Sequence, residues 1–417
     1  MENQKKNSIF AAPGGKSYLI PFILVSSLFL MWGFAHGLLD VLNKHFQEAF
    51  TMSKAESGLV QFSTYIAYGL IAFPAGMFMR RFGYQKGIIL GLVVYAIGAF
   101  SFIPAAFGSS PVPFLIALFI VACGLCMLET AANPYSTVLG PEESASRRLN
   151  LSQSLNGLGW VLGPLVGGYL ILGAEAGDAM ALAKPYILVG VCVIIITLFF
   201  LFVKLPDIKE GAAKEGHEPA PSTNSAPASS TASTKSLWQH KHFVLAFVAQ
   251  IMYMIAQTGI FALFINYVME LDDTITKVQA SQYLAFGGMA LFMIGRLSGS
   301  MLMARFQANK LLATYASIST ICMVLVVLNI GYISLVALCT CFFFMSIMFP
   351  TIYALGLANM GEHTKRAASF LTMAVAGGAF SAIIMGAVGE ENMAIGFIIP
   401  LICFVFILFY AAKGYKM

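Results

Sequence analysis

Charge is scarce in this chain. Of its 417 residues only 10% are charged, against about 25% in an ordinary soluble domain, while 59% are hydrophobic. With a mean hydropathy of +0.81, lipid must be the solvent for most of the sequence, and no sizeable soluble domain is expected. Catalytic and metal-binding spacings are missing as well. There is no His-Glu-x-x-His, no Gly-x-Ser-x-Gly, no phosphate-cradling glycine loop and no cluster of metal ligands, so neither an enzyme nor a bound cofactor is expected. The seven cysteines all lie in apolar runs and read as small packing residues, including Cys123 and Cys126, whose Cys-x-x-Cys spacing lacks a second ligand pair. No disulfide is expected.

What is present is apolar length. A ~30 Å hydrocarbon layer takes about 20 residues to cross, so 417 residues leave room for about twelve spans. Apolar runs between charged or Gly/Pro breaks place them at 18–46, 57–79, 87–106, 111–139, 149–173, 184–203, 241–268, 279–304, 309–328, 332–359, 364–389 and 392–413. The first run is too long for a signal-peptide core and is expected to remain as the first span. Between spans six and seven, the stretch from Pro206 to Ser236 turns abruptly polar, rich in Pro, Ser, Thr and Lys/Glu, and cannot bury a core. The expected organisation is an all-α integral membrane fold: a six-helix half at 1–203, a flexible linker at 204–240 and a second six-helix half at 241–417.

The net charge of +5 does not point to nucleic acid, because the basic residues sit in short loops rather than in one patch. They report orientation instead. Nineteen of the 24 Lys and Arg residues fall on the side of the termini and the linker. Lys44, Lys54, Lys184 and Lys277 lie opposite, and Arg296 lies within span eight. The positive-inside rule then puts both termini and the linker in the cytoplasm.

The halves share features at matching places. Gly76-Met-Phe-Met-Arg-Arg81-Phe82-Gly-Tyr-Gln-Lys86 follows span two, and Gly299-Ser-Met-Leu-Met-Ala-Arg305-Phe306-Gln-Ala-Asn-Lys310 follows span eight; both contain Arg-Phe-x-x-x-Lys. Pro134 in span four and Pro350 in span ten each precede a basic pair, Arg147-Arg148 and Lys365-Arg366. The separations, 224 and 216 residues, are nearly equal, which favours an internal duplication with the substrate site between the halves. Each proline leaves a carbonyl without its helical partner, that of Thr130 or of Ser346, so both helices are candidates for kinked gates as well as for plain packing.

These residues resemble the major facilitator superfamily, whose loop 2–3 signature matches Gly76 to Lys86. Arg80 departs from it, standing where an aspartate is usual. Within the superfamily, Leu128-Glu-Thr-Ala-Ala-Asn-Pro134-Tyr and Arg148-Leu-Asn-Leu-Ser-Gln153-Ser-Leu-Asn156 resemble the fucose/galactose/glucose permease family. So do Trp32-Gly33 with Asp40, Ala256-Gln257-Thr258, Gly295-Arg296-Leu-Ser-Gly299 and Met345-Ser-Ile-Met-Phe-Pro350-Thr. The resemblance implies two six-helix halves related by a pseudo-two-fold axis, and proton symport of a monosaccharide such as L-fucose, galactose, glucose or fructose. It also implies a bacterial inner membrane location and a monomer whose partners are the sugar and the bilayer. Asp40 then stands at the coupling carboxylate and Glu129 at a second, sugar-linked one.

The residues carry a compatible chemistry. Asp40 and Glu129 are the acids placed at hydrocarbon depth away from span ends, where a charge costs about 2.5–3.5 kcal/mol. A carboxyl group taken out of water gains affinity for a proton, as coupling requires; an ion pair of either acid with Arg296 is the structural alternative. Trp32, His36 and Asp40 recur at i, i+4 and i+8 along one helix face. There the indole can stack on a sugar ring and His36 can donate to a hydroxyl or exchange a proton with Asp40, if they are not simply packed between helices. The related permeases carry asparagines where this chain has His36 and Gly37. Gln153 and Asn156 on span five, and Gln250, Tyr253 and Gln257 on span seven, supply the directional donors and acceptors that suit a neutral polyol, with Asn133 beside Pro134 a further candidate; helix-to-helix hydrogen bonding is their plainer role. Arg81, Arg296, Arg305, Pro134 and Pro350 are expected to serve structure or gating. An antiporter, or a sodium-coupled symporter of another small polar metabolite, is the competing reading.

Orientation is open to a direct check. A Ser229→Cys chain treated with a membrane-impermeant maleimide should be modified only when the cytoplasmic side is exposed; modification from outside intact cells overturns the topology.

Overall fold

The computed structural model describes residues 10, 17–108, 110–140, 145–174, 180–203, 237–303, 305–358, 360 and 364–416. Most of the expected linker, with Ser229, lies outside them, as do the side chains of Arg80, Pro134, Arg147, Lys365 and Arg366. Twelve helices are long and apolar enough to cross a membrane. We number them α1 Leu19–Ala49, α2 Lys54–Met79, α3 Tyr84–Ala106, α4 Val112–Asn133, α5 Leu151–Leu172 and α6 Ala183–Phe202, then α7 Lys241–Leu271, α8 Lys277–Met303, α9 Ala308–Val327, α10 Tyr332–Leu357, α11 Phe370–Val388 and α12 Met393–Ala412. No strand occurs among the described residues. In lipid a backbone must satisfy its own hydrogen bonds, and helices do so.

These spans correct the sequence boundaries by a few residues, for a local reason at two places. Spans two and eight begin at Lys54 and Lys277 rather than at 57 and 279. Capping boxes start both helices. Ser53 Oγ accepts from Glu56 N while Glu56 Oε2 accepts from Ser53 N, and Thr276 with Gln279 repeats the pattern.

Twelve crossings return the chain to the face it set out from, so the ends of the described chain share one face, the terminal face, opposite a distal one. In the first half, α1 and α5 approach until their backbones touch. A Cβ at Gly33 would collide with the Asn156 carbonyl oxygen, one at Gly163 would lie 2.6 Å from the Gly37 carbonyl carbon, and one at Gly159 would meet the Leu30 carbonyl. Ser26 and Ser152 hydroxyls meet across the same seam at 2.8 Å. Small residues at a seam let membrane helices gain dispersion contacts where no hydrophobic force drives them together.

The two halves are joined at the distal face. Lys54 Nζ pairs with Glu270 at 2.5 Å and donates to the Gly389 and Glu390 carbonyls, while Lys277 pairs with Glu48 at 2.6 Å. Beneath these charges lies an amide layer. Gln47 and Asn266 exchange hydrogen bonds of 2.5 and 3.3 Å, and Gln47 is held by Asn43 and Ser57. Backbones also touch here: a Cβ at Gly58 would lie 2.5 Å from Ile383 N, and one at Gly386 2.5 Å from the Lys54 carbonyl. Further hydrogen bonds between the halves, from Lys54 and Ala55 to Glu390 and from Gln282 to Tyr169, also lie toward this face.

Spans α10 and α11 of the second half depart from regular helix. Helix α10 is interrupted at Ser346–Ile347, four residues before Pro350, and α11 tightens to a 3₁₀ turn over Ala374–Phe380. Gly378 of that turn sits so close to Thr258 of α7 that a Cβ would lie 2.9 Å from its methyl group.

The α1–α5 seam is testable by paired substitutions. Gly33→Ala must push two backbones apart and should cost about 1–3 kcal/mol, read as a lowered thermal midpoint in detergent. Gly76→Ala, with nothing within 4 Å, should leave the midpoint level or raised; equal midpoints for the two variants would sink the seam as a close-packed contact.

Candidate functional site

The central site grows from two facing helices. Along α1, Trp32, His36, Asp40, Asn43 and Gln47 succeed one another turn by turn. Along antiparallel α2, Ser57, Gln61, Tyr65 and Tyr68 answer them at similar spacing. The rungs are explicit. Asn43 Nδ2 donates to Gln61 Oε1 at 3.0 Å and to the Ser57 carbonyl at 3.1 Å. The His36 ring lies 6.2 Å from Tyr65 and 5.8 Å from Tyr68, and Trp32 Nε1 donates to the Tyr68 hydroxyl at 3.0 Å.

His36 is only 4% exposed and stands in an aromatic box completed by Trp32 at 5.8 Å and Trp160 of α5 at 5.5 Å. Its Nδ1 lies 3.1 Å from the Trp32 carbonyl oxygen, so that nitrogen serves the helix rather than Asp40. Trp160 also reaches across the molecule, edge-on to Phe261 of α7 at 5.4 Å. Asp40, equally buried, has an Oδ2 with no hydrogen-bond partner. A buried carboxylate oxygen left unpaired carries the full desolvation cost, and this one lies just beneath the distal amide layer. Tyr65 is near enough to Asp40 and to Glu129 to feel the charge of both.

Glu129, half-buried on α4, lies near the Tyr68 hydroxyl and the Asn133 amide. Gln153 Nε2 donates to Asn133 Oδ1 at 3.4 Å. Trp32, Glu129, Asn133 and Gln153, chosen from sequence on four separate grounds, thus form one chain of neighbours linked through a Tyr68 hydroxyl that sequence did not single out. Gln257, half-buried on α7, is one turn from Tyr253.

Other candidates sit elsewhere. Asn156 is 1% exposed and spends its amide N–H on the Phe29 carbonyl at 3.2 Å, within the α1–α5 seam. Tyr253 is fully buried and donates to the Met345 carbonyl at 3.1 Å. Arg296 Nε approaches the Ser346 carbonyl at 3.5 Å and its guanidinium lies 4.8 Å from the Phe292 ring. These two side chains therefore serve the carbonyls at the break in α10, including the one Pro350 leaves free. No ion pair joins Arg296 to Glu129 or Asp40 among the described residues. Gln250 is fully buried with its amide unpartnered. Arg81 and Arg305 are exposed at the terminal face, and the helix of α4 continues to Val138 through position 134. Pro350 is exposed. No group of three or more His, Cys, Asp or Glu that could hold a metal occurs among the described residues.

Tyr65, Tyr68 and Trp160 are the site residues that sequence reading missed. Gln61, Tyr65 and Tyr68 recur at i, i+4 and i+7, a polar stripe in an apolar span, and Trp160 is one of only three tryptophans; both signals were available.

Twelve spans in two sets of six around a central polar and aromatic site are the architecture of a secondary transporter. The chain belongs to the major facilitator superfamily, whose family model matches residues 22–385, and within it to the fucose/galactose/glucose permease family. It is similar to the L-fucose-proton symporter of Escherichia coli K12, 37% identical over 421 residues that span 95% of this chain and 93% of the relative. A glucose/galactose transporter of Brucella abortus is 34% identical over 412 residues, 96% and 95% of the two chains. Among solved structures, FucP in the outward conformation matches with a TM-score of 0.67 at 36% identity, covering 95% of this chain and 99% of that one. A D-xylose-proton symporter matches at 0.74 with 14% identity, covering 96% and 99%, a likeness of fold.

Proposed function

We propose that this protein imports a monosaccharide, L-fucose or a related hexose, across a bacterial inner membrane by proton symport with alternating access. It acts as a monomer of two six-helix halves, 1–203 and 241–417, with the linker 204–240 and both termini in the cytoplasm. The observation that carries this reading is the pairing of an unpartnered, buried Asp40 carboxylate with an aromatic and amide site one to two turns away. Relatives aligned over nearly the whole chain transport L-fucose with protons, or glucose and galactose.

The roles follow from the donors and acceptors available. Trp32 offers an apolar face to the C–H face of a sugar ring. Glu129 accepts from sugar hydroxyls, while Asn133, Gln153 and Gln257 supply amide donors and acceptors. Asn156, Tyr253 and His36 shape the walls, and Arg81, Arg296, Arg305, Pro134 and Pro350 serve helix ends and breaks that the halves move about. Protonation of Asp40 removes the cost of burying its charge and permits the loaded halves to close over it. The distal contacts of Lys54, Glu270, Gln47 and Asn266 belong to the state open toward the cytoplasm.

Two variants test the division of labour between the carboxyl groups. Asp40→Asn imitates the protonated residue, so uphill accumulation should vanish while equilibrium counterflow, which needs no net proton movement, survives. Glu129→Gln exchanges a charged acceptor for a neutral amide and should weaken sugar binding about 5–30-fold. Continued accumulation by Asp40→Asn would falsify its coupling role, and normal binding by Glu129→Gln would remove it from the sugar site.

His36 is the point at which this chain departs from the related permeases. His36→Asn should reorder the preference among L-fucose, galactose, glucose and fructose in competition uptake while coupling persists. An unaltered order leaves His36 as a packing residue.

A further inference from the structure

Resting on that transport reading, a role emerges for α2, which sequence analysis left empty. An indole N–H can only donate, and an ionised carboxylate can only accept, whereas a phenol does both. Tyr68 stands between the two. Because its oxygen is taken by the Trp32 N–H at 3.0 Å, its own O–H is free to point to Glu129, and no other direction of bonding satisfies all three groups. Asn133 is oriented by the same logic: its Oδ1 accepts from Gln153, which leaves its N–H bonds to face Glu129. The carboxylate, with about four lone-pair positions, thus has two protein donors beside it and retains positions for sugar hydroxyls. The Tyr68 ring is itself held against His36 at 5.8 Å and Tyr65 at 6.5 Å.

We propose that Tyr68 is a positioning residue of the sugar site: its hydroxyl ties the Trp32 ring to the Glu129 carboxylate, fixing the spacing at which one sugar can stack on the first and hydrogen-bond to the second. It acts through Glu129 and Trp32 and makes no proton transfer of its own. Removing the hydroxyl alone leaves both partners in place but uncoupled, so the loss falls on recognition rather than on turnover.

The test is a double-mutant cycle on the purified full-length protein, with Kd for L-fucose, D-galactose and D-glucose measured by calorimetry and exchange measured in vesicles. Tyr68→Phe keeps the ring and its packing. It should raise Kd for the preferred sugar about tenfold, the scale of one hydrogen-bond loss next to a charge, with saturated counterflow within about twofold. In a Glu129→Gln background the same change should add less than a twofold further loss, because the acceptor it positions is already weakened. Losses that multiply independently, or a Tyr68→Phe protein that binds as the parent does, overturn the inference alone. A parent protein that binds none of the three sugars overturns the transport reading and this inference together.

Discussion

Hydrocarbon offers no hydrogen bonds, and that constraint organises everything polar in this molecule. Each buried donor or acceptor must find a partner inside the protein or bear a cost of several kcal/mol. Most have found one. Asn43, Gln47, Ser57 and Asn266 hydrogen-bond to one another, and Gln61 Oε1 accepts from Asn43. Arg296 and Tyr253 take the carbonyls at the break in α10. A few neutral groups, among them Gln61 Nε2 and the Gln250 amide, are left unpaired, but Asp40 Oδ2 is the carboxylate oxygen among them, and a carrier that must bind and release a proton needs such a group at its centre.

The same constraint explains why the distal closure has two layers of different chemistry. The outer layer, Lys54 with Glu270 and Lys277 with Glu48, is partly exposed, where an ion pair is weak and readily exchanged for water. The inner layer is almost fully buried and uncharged. Opening it exposes amides that water can satisfy, so neither state strands a charge. Neutral amides suit a seal that must form and break in each cycle better than a buried ion pair, whose separation would leave two uncompensated charges.

Much of this was legible in the sequence. Twelve apolar runs of spanning length, a polar interruption after the sixth and matched motifs in the two halves sufficed for the fold, because lipid imposes a length and a composition that few other structures share. Asp40 and Glu129 stood out for a related reason: an acid at that depth is costly unless used. Aromatic hydroxyls carry no such penalty signal. Tyr65 and Tyr68 carry only the weaker signal of a polar stripe with Gln61 until the fold sets α2 against α1. Asn156 shows the converse error of scale: an amide at the right spacing faces the backbone of a neighbour only 3.2 Å away, because Gly33 lets that helix come so close.

The placement of the two carboxyl groups gives the proposed cycle its order. Asp40 lies on the distal side of the aromatic box and Glu129 on the terminal side. In the conformation described, the amide layer and the ionic layer stand between Asp40 and the distal face. In the proposed cycle a proton on Asp40 therefore has no short route back to the distal side; it leaves through the site toward the terminal face, past the position proposed for the sugar. Release of sugar and release of proton then share one exit, and a sugar that remains bound obstructs the proton behind it. Coupling in such an arrangement needs no direct contact between proton and sugar. It requires only that the distal seal form over a neutral Asp40 more readily than over a charged one, which the low polarity of its surroundings ensures.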